Sequence, residues 1–130
     1  MTIGSWTPAN EATIERAMLD KGLSLARKQS LESLPEEFTQ GEIERYAPAM
    51  KLTQSQWEAV LADYSSEELR LLIHFFTRAE MLLPGWDAGE SSPAIWANKL
   101  LKRRGERLSP EDLHWLRENT SNRFIPNGSL

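Results

Sequence analysis

Residues 65–86, SSEELRLLIHFFTRAEMLLPGW, form the longest apolar segment of the chain and decide its predicted fold. Ser65 and Glu68 have the spacing of a capping box, which starts a helix, and Pro84-Gly85 ends one. At about 100° per residue, one broad helix face carries most of the apolar side chains between these limits, namely Leu69, Leu71, Leu72, Ile73, Phe75, Phe76, Ala79, Leu82 and Leu83. We therefore predict a central core helix over about residues 66–83.

The flanking sequence carries five further helix starts. Two are capping boxes, formed by Thr39 with Glu42 and by Thr53 with Gln56. Three are a Ser or Thr followed by a proline at the first helical position, at residues 7, 92 and 109. No apolar and polar residues alternate over a useful length, so no sheet is expected. The predicted fold class is all-α, a single compact domain over residues 1–130 with five or six helices around the central one.

Two positions weaken the regular helical pattern. Gly22 lies inside the first predicted helix, over residues 8–30, where glycine costs about 1 kcal/mol relative to alanine. Leu34 precedes Pro35, and a residue before proline favours extended backbone. Residues 31–52 are therefore expected to be the least regular part of the chain.

The composition of the 130 residues is that of an ordinary globular protein, with 40% hydrophobic and 26% charged residues. The chain contains no cysteine, which excludes disulfides, thiolate chemistry and thiolate metal sites. The first residues, MTIGSWTPANEA, have neither the basic start nor the apolar core of a signal peptide. No uncharged apolar run is long enough to span a bilayer. We therefore expect a soluble, cytoplasmic protein with no membrane association.

The charge is unevenly distributed along the chain. Residues 1–92 carry 8 Lys/Arg against 15 Asp/Glu, and residues 93–130 carry 7 against 4, which gives net charges of −7 and +3. Within the basic part, Lys99, Lys102 and Arg103 share one helix face and Arg107 follows near its end. This basic stripe, residues 99–107, could follow a phosphate backbone, which makes a nucleic-acid-associated regulator one alternative. Against it, the next predicted helix begins with acidic residues where base-reading side chains would lie.

The loop over residues 84–92 is a second candidate site. Trp86 lies between two glycine-containing turns, with Asp87 and Glu90 close in sequence. Together with Glu80, such a loop could line a pocket for a cationic or sugar-like ligand, which makes a small-ligand binder or an enzyme another alternative. The competing interpretation is that Trp86 covers one end of the core while the acids face water.

Glu80 is the charged residue that interrupts the apolar face of the central helix. A carboxylate on such a face needs a counter-charge, because a buried, unpaired carboxylate costs several kcal/mol. Arg123 and Arg104 are the candidate partners, and Arg123 is preferred because Phe124 and Ile125 should bring it to the core. We predict a structural ion pair that holds residues 119–130 against the central helix.

The two histidines, His74 and His114, have no metal-binding or catalytic spacing, so no catalytic residue, metal site or cofactor is predicted. The favoured function is a small non-enzymatic binding or adaptor protein that acts through a helical surface. Its expected partner is another protein or a second copy of the same chain, as in a homodimer.

Overall fold

The computed structural model describes residues 13–122 and 124–125, and within them it contains seven α-helices and no strand. The helices are α1 (Arg16–Arg27), α2 (Leu34–Glu37), α3 (Gln40–Tyr46), α4 (Gln54–Leu61), α5 (Ser66–Leu82), α6 (Pro93–Arg103) and α7 (Pro110–Asn119). Short 3-10 turns lie at Leu31–Ser33, Ala47–Lys51 and Gly89–Ser91. The all-α prediction is confirmed, and the count exceeds six because the four-residue α2 was not expected.

Local capping chemistry accounts for most helix starts. At Thr39, Thr53 and Ser65 both hydrogen bonds of the predicted capping box are present. Ser109 forms a fourth box in which Asp112 takes the place of the usual Glu or Gln. The predicted helix start at residues 7–8 lies outside the described residues.

The extended backbone predicted at residue 34 is wrong. Leu34 has φ −51° and ψ −42°, which are helical values, and it opens α2 with Pro35 in the first turn. A proline is tolerated there because the first-turn N–H groups have no partner within the helix. The Leu34 side chain is fully buried, so its packing outweighs the local preference for extended backbone.

The core is built around α5, which packs most extensively against α6 and α1. All buried apolar residues of the described chain belong to one cluster. α1 lies close to α5 at Gly22, where a Cβ atom would be 2.5 Å from the ring of Phe75. Glycine at position 22 therefore lowers the helix propensity of α1 but allows α1 to pack closely on α5.

The C-terminal end of α5 is where the chain turns back and brings distant segments together. After α5 ends at Leu82, Gly85 adopts φ +83°, a left-handed value that favours glycine. The following loop leads to Ser92, the N-cap of α6, and residues 121–122 lie beside it. None of the described helices has the length and apolarity needed to cross a membrane.

Candidate binding cleft

Trp86, the aromatic residue of the predicted loop site, is part of the core. Its side chain is fully buried, and its indole Nε1–H donates to the Ile43 carbonyl oxygen at 3.0 Å. Its ring makes edge-on contacts with Phe38, Tyr46 and Phe75. Trp86 therefore anchors the loop on the end of the core, and it does not line any of the clefts described below.

Glu80 is buried, with 8% of its surface exposed, as its place on the apolar face predicts. Its Oε2 accepts a hydrogen bond of 2.6 Å from the Ser92 hydroxyl. Its Oε1 accepts from the Ala88 backbone N–H and from the Asn122 side-chain amide, both at 3.2 Å. The same Ser92 oxygen caps α6 by accepting from the Ala94 N–H, so Glu80 joins α5 to the start of α6.

The electrostatics of Glu80 are those of a carboxyl group with neutral partners. Burial raises its pKa above the ordinary value of 4.5, and the nearby Asp87 adds to this effect. The three hydrogen bonds favour the ionised form and offset burial only in part. The ionised carboxylate is therefore held in place but is not neutralised by these contacts.

Of the two predicted arginine partners of Glu80, the structure describes only Arg104. Arg104 donates to the Ser66 hydroxyl at 3.2 Å and to the Ala62 carbonyl oxygen at 3.3 Å, and no described hydrogen bond or ion pair joins it to Glu80. Arg123 lies outside the described residues, so its pairing with Glu80 stays a prediction. Among the described residues, the hydrogen-bond donors to Glu80 are neutral groups that lie 8 to 42 residues further along the chain.

Glu80 lines a cleft at the C-terminal end of α5, called the Glu80 cleft below. Its volume is about 390 Å³, and its walls are formed by Glu80, Met81, Asp87, Gly89, Ser121, Asn122 and Phe124. Met81 is 43% exposed and is the only exposed large hydrophobic residue in the described chain. The Asn122 amide also donates to the Gly89 carbonyl oxygen at 2.9 Å, which fixes one wall. Glu90, the other predicted loop acid, is exposed and lies outside the cleft lining.

The basic stripe lies on the surface of α6 and the turn after it, but two of its four cations interact with other side chains. Arg103 forms an ion pair with Glu58 at 2.9 Å, and the Lys99 ammonium lies 5.3 Å from the centre of the Trp96 ring. Lys102 and Arg107 line a smaller cleft of about 60 Å³. The positive charge available to a phosphate backbone is therefore smaller than the sequence indicates.

Sequence reasoning did not bring His74 and Asp112 together. His74 Nε2 lies 3.0 Å from Asp112 Oδ1, and the imidazole stacks on Trp115 with ring centres 4.3 Å apart. The two residues are separated by 38 positions, so no local pattern could indicate the contact. His114, the other histidine, is exposed.

The described residues contain no group of three or more His, Asp or Glu side chains placed to hold a metal ion. Comparisons of the chain with family models, curated proteins and solved structures found no match. No relative therefore suggests a ligand, and the chemistry of the clefts is the basis for the proposals below.

Proposed function

We propose that the protein is a small non-enzymatic binding protein that accepts a lysine or arginine side chain of a protein partner in the Glu80 cleft. The observation that carries this proposal is a buried carboxylate that lines an open cleft and has only neutral donors among its described partners. Buried carboxylates are normally paired with a cation, because removal from water is costly for an uncompensated charge. A partner's cation would supply that compensation.

The remaining walls of the cleft suit the same kind of side chain. Asp87 adds a second carboxylate, which attracts cations and is exposed enough to meet them first. Met81 and Phe124 offer apolar contact to the methylene groups of a lysine or arginine. The excess of acids in residues 1–92 favours approach of a basic partner over an acidic one.

Binding is favoured over catalysis by the way in which the polar groups are used. The Ser92 hydroxyl donates to Glu80 and accepts from the Ala94 N–H, so it is committed to holding α6 on α5. A nucleophilic serine needs a base that takes its proton, together with an exposed oxygen, whereas Ser92 is fully buried. These contacts support a rigid recognition site.

The surface that this protein would offer to its partner is smaller and more polar than the broad helical surface predicted from the sequence. Met81 is the only large hydrophobic residue that is exposed in the described chain, and adaptor helices usually present several. A second copy of the chain is one source of the cation, since residues 93–130 carry a net charge of +3. The cytoplasmic location predicted from the sequence is part of this proposal.

The test is a titration of the 15N-labelled protein with a short peptide that contains one lysine, compared with the same peptide containing norleucine. The reporters are the Ala88 backbone N–H and the Asn122 side-chain amide, because both donate to Glu80. We expect saturable shifts at these two groups with the lysine peptide, at about millimolar affinity for an isolated side chain. The norleucine peptide should leave them unchanged.

Matched variants separate a specific site from general attraction to an acidic protein. Asp87→Asn removes a charge from the cleft, whereas Glu90→Gln removes one from the same loop outside the cleft. Asp87→Asn should weaken the lysine peptide about threefold, and Glu90→Gln should have little effect. Equal effects of both changes, or shifts spread over the whole acidic surface, would contradict the proposal. Sedimentation of the wild type and of Asp87→Asn then tests whether the partner is a second copy.

A further inference from the structure

A second cleft lies beside the first half of α5. Its other walls are the end of α1, the turn that follows α1, and α7. It has a volume of about 440 Å³ and is called the His74 cleft below. Its polar lining comes from Gln29, Glu32, Arg70 and His74, and its apolar lining includes Leu71 and Trp115. The Glu80 cleft shares none of these residues, so the two sites are distinct.

Asp112 determines which ring nitrogen of His74 carries the proton. Its Oδ2 accepts from the backbone N–H and the hydroxyl of Ser109, at 3.3 and 3.0 Å, as part of the α7 capping box. A carboxylate only accepts hydrogen bonds, so His74 Nε2 donates to Asp112 Oδ1. In the neutral ring the lone pair then lies on Nδ1. Burial lowers the pKa of His74 below 6.5, and the Asp112 carboxylate offsets this only in part, which favours the neutral ring near pH 7.

The orientation of the ring is fixed as well. The imidazole and the Trp115 indole are nearly parallel, with an angle of 8° between their planes. His74 is therefore held on one side by Asp112 and across its face by Trp115. No described hydrogen bond involves Nδ1, and His74 lines the cleft, so Nδ1 is the acceptor atom that this ring can offer to a ligand there.

Arg70 provides a cation with uncommitted donors four residues before His74. Its described polar contact is a 3.7 Å approach to Asp112 Oδ1, which is too long for a good hydrogen bond. Its side chain is 40% exposed. Arg78, by contrast, donates twice to Glu32, at 2.8 and 2.9 Å, and once to the Asn119 carbonyl oxygen. The charge of Glu32 is thus compensated by Arg78, and Arg70 keeps its fork of donors for a ligand.

We propose that the His74 cleft binds a small carboxylate that carries an amino or hydroxyl donor next to an apolar body. The guanidinium of Arg70 matches a carboxylate with two parallel hydrogen bonds. Nδ1 of His74 accepts from the amino or hydroxyl group, and Leu71 with the edge of Trp115 contacts the apolar body. Inorganic phosphate is a poorer match, because it has no apolar body for Leu71 and Trp115 to contact.

The test uses four probes that share one apolar body, measured by isothermal titration calorimetry against the full chain. L-Phenylalanine and L-phenyllactate carry both required groups, phenylalaninamide lacks the carboxylate, and 3-phenylpropionate lacks the donor. We expect the first two to bind at least about tenfold more tightly than phenylalaninamide and more tightly than 3-phenylpropionate. Absence of saturable binding up to about 10 mM, or equal binding of phosphate and the carboxylates, would overturn the proposal.

Three variants assign the roles of the residues. Arg70→Gln should weaken L-phenyllactate at least about tenfold, whereas Arg117→Gln, at an exposed arginine outside the cleft lining, should change it less than about twofold. His74→Phe keeps an aromatic ring against Trp115 but removes the acceptor. It should weaken L-phenyllactate and leave 3-phenylpropionate unchanged, a pattern that a general loss of structure would not produce. Equal losses for both probes would contradict the role of Nδ1.

Discussion

Replacement of Glu80 by glutamine distinguishes a buried carboxylate held by neutral donors from one that is paired with Arg123. Glutamine has nearly the same shape and retains one acceptor oxygen. That oxygen can keep the bonds from the Ala88 N–H and the Asn122 amide, while the new amino group faces the Ser92 hydroxyl. Ser92 can turn and accept, so one charge-assisted bond becomes a neutral one. The expected loss in the free energy of unfolding is about 1 kcal/mol.

Replacement of Glu80 by alanine should be more costly, because no acceptor remains. The Ser92 hydroxyl and the Ala88 N–H lose their partner, whereas the Asn122 amide keeps its bond to the Gly89 carbonyl oxygen. One buried and one half-buried donor without a partner correspond to about 2–5 kcal/mol. Urea denaturation followed by circular dichroism gives both values, with Glu90→Gln as the control at an exposed acid of the same loop.

The pH dependence of the Glu80→Gln effect follows from the raised pKa of Glu80. The contribution of such a group to stability is full below its ordinary pKa of 4.5 and declines as pH rises through the raised value. Glutamine does not titrate, so its cost relative to wild type should shrink with rising pH. A cost of about 3–5 kcal/mol near pH 7, matched by Arg123→Ala and non-additive with it, would refute this reasoning. It would instead support the ion pair predicted from the sequence.

Three further perturbations test other parts of the structure. Gly22→Ala should lower the stability measured by urea denaturation. Overpacking against the Phe75 ring costs about 1–3 kcal/mol, whereas the better helix propensity of alanine returns at most about 1 kcal/mol. A stabilised variant would refute the close approach of α1 to α5. Burial lowers the pKa of His74, so the folded protein loses stability as pH drops through about 6.5. Thermal melts at several pH values should show a larger loss for the wild type than for His74→Gln. Trp86→Phe should cost about 1–3 kcal/mol, because the smaller ring leaves unfilled space in the core and the Ile43 carbonyl oxygen keeps only the donor from the Ala47 N–H. It should leave lysine-peptide binding intact, and loss of binding would place Trp86 in the site.

The helices could be predicted because their signals are local. Each capping box lies within four residues, and the boxes at Thr39, Thr53 and Ser65 formed as predicted. The prediction at Leu34 was wrong for a non-local reason, since burial of its side chain overrides the effect of the following proline. Gly22 could be noted as an irregularity, but its cause, the Phe75 ring, lies 53 positions away.

The candidate sites depend on contacts that no local pattern encodes. The place of Glu80 on an apolar helix face indicated burial, yet its partners Ser92 and Asn122 lie 12 and 42 residues further along the chain. The sequence favoured Trp86 as a cover of the core, but a tryptophan can also line a pocket, and only packing decides between these roles. For His74 the sequence indicated only that no metal-binding or catalytic spacing is present. Its neighbours on α7 give it a fixed orientation.

The most direct test of the proposed cation site is the pKa of the Glu80 side chain, measured from its 13Cδ shift with and without saturating lysine peptide. A cation that binds the ionised carboxylate must lower this pKa by linkage, because protonation and binding then compete. We predict a raised pKa in the free protein that falls towards or below its ordinary value of 4.5 in the complex. A peptide that binds while the Glu80 pKa stays unchanged would contradict the account.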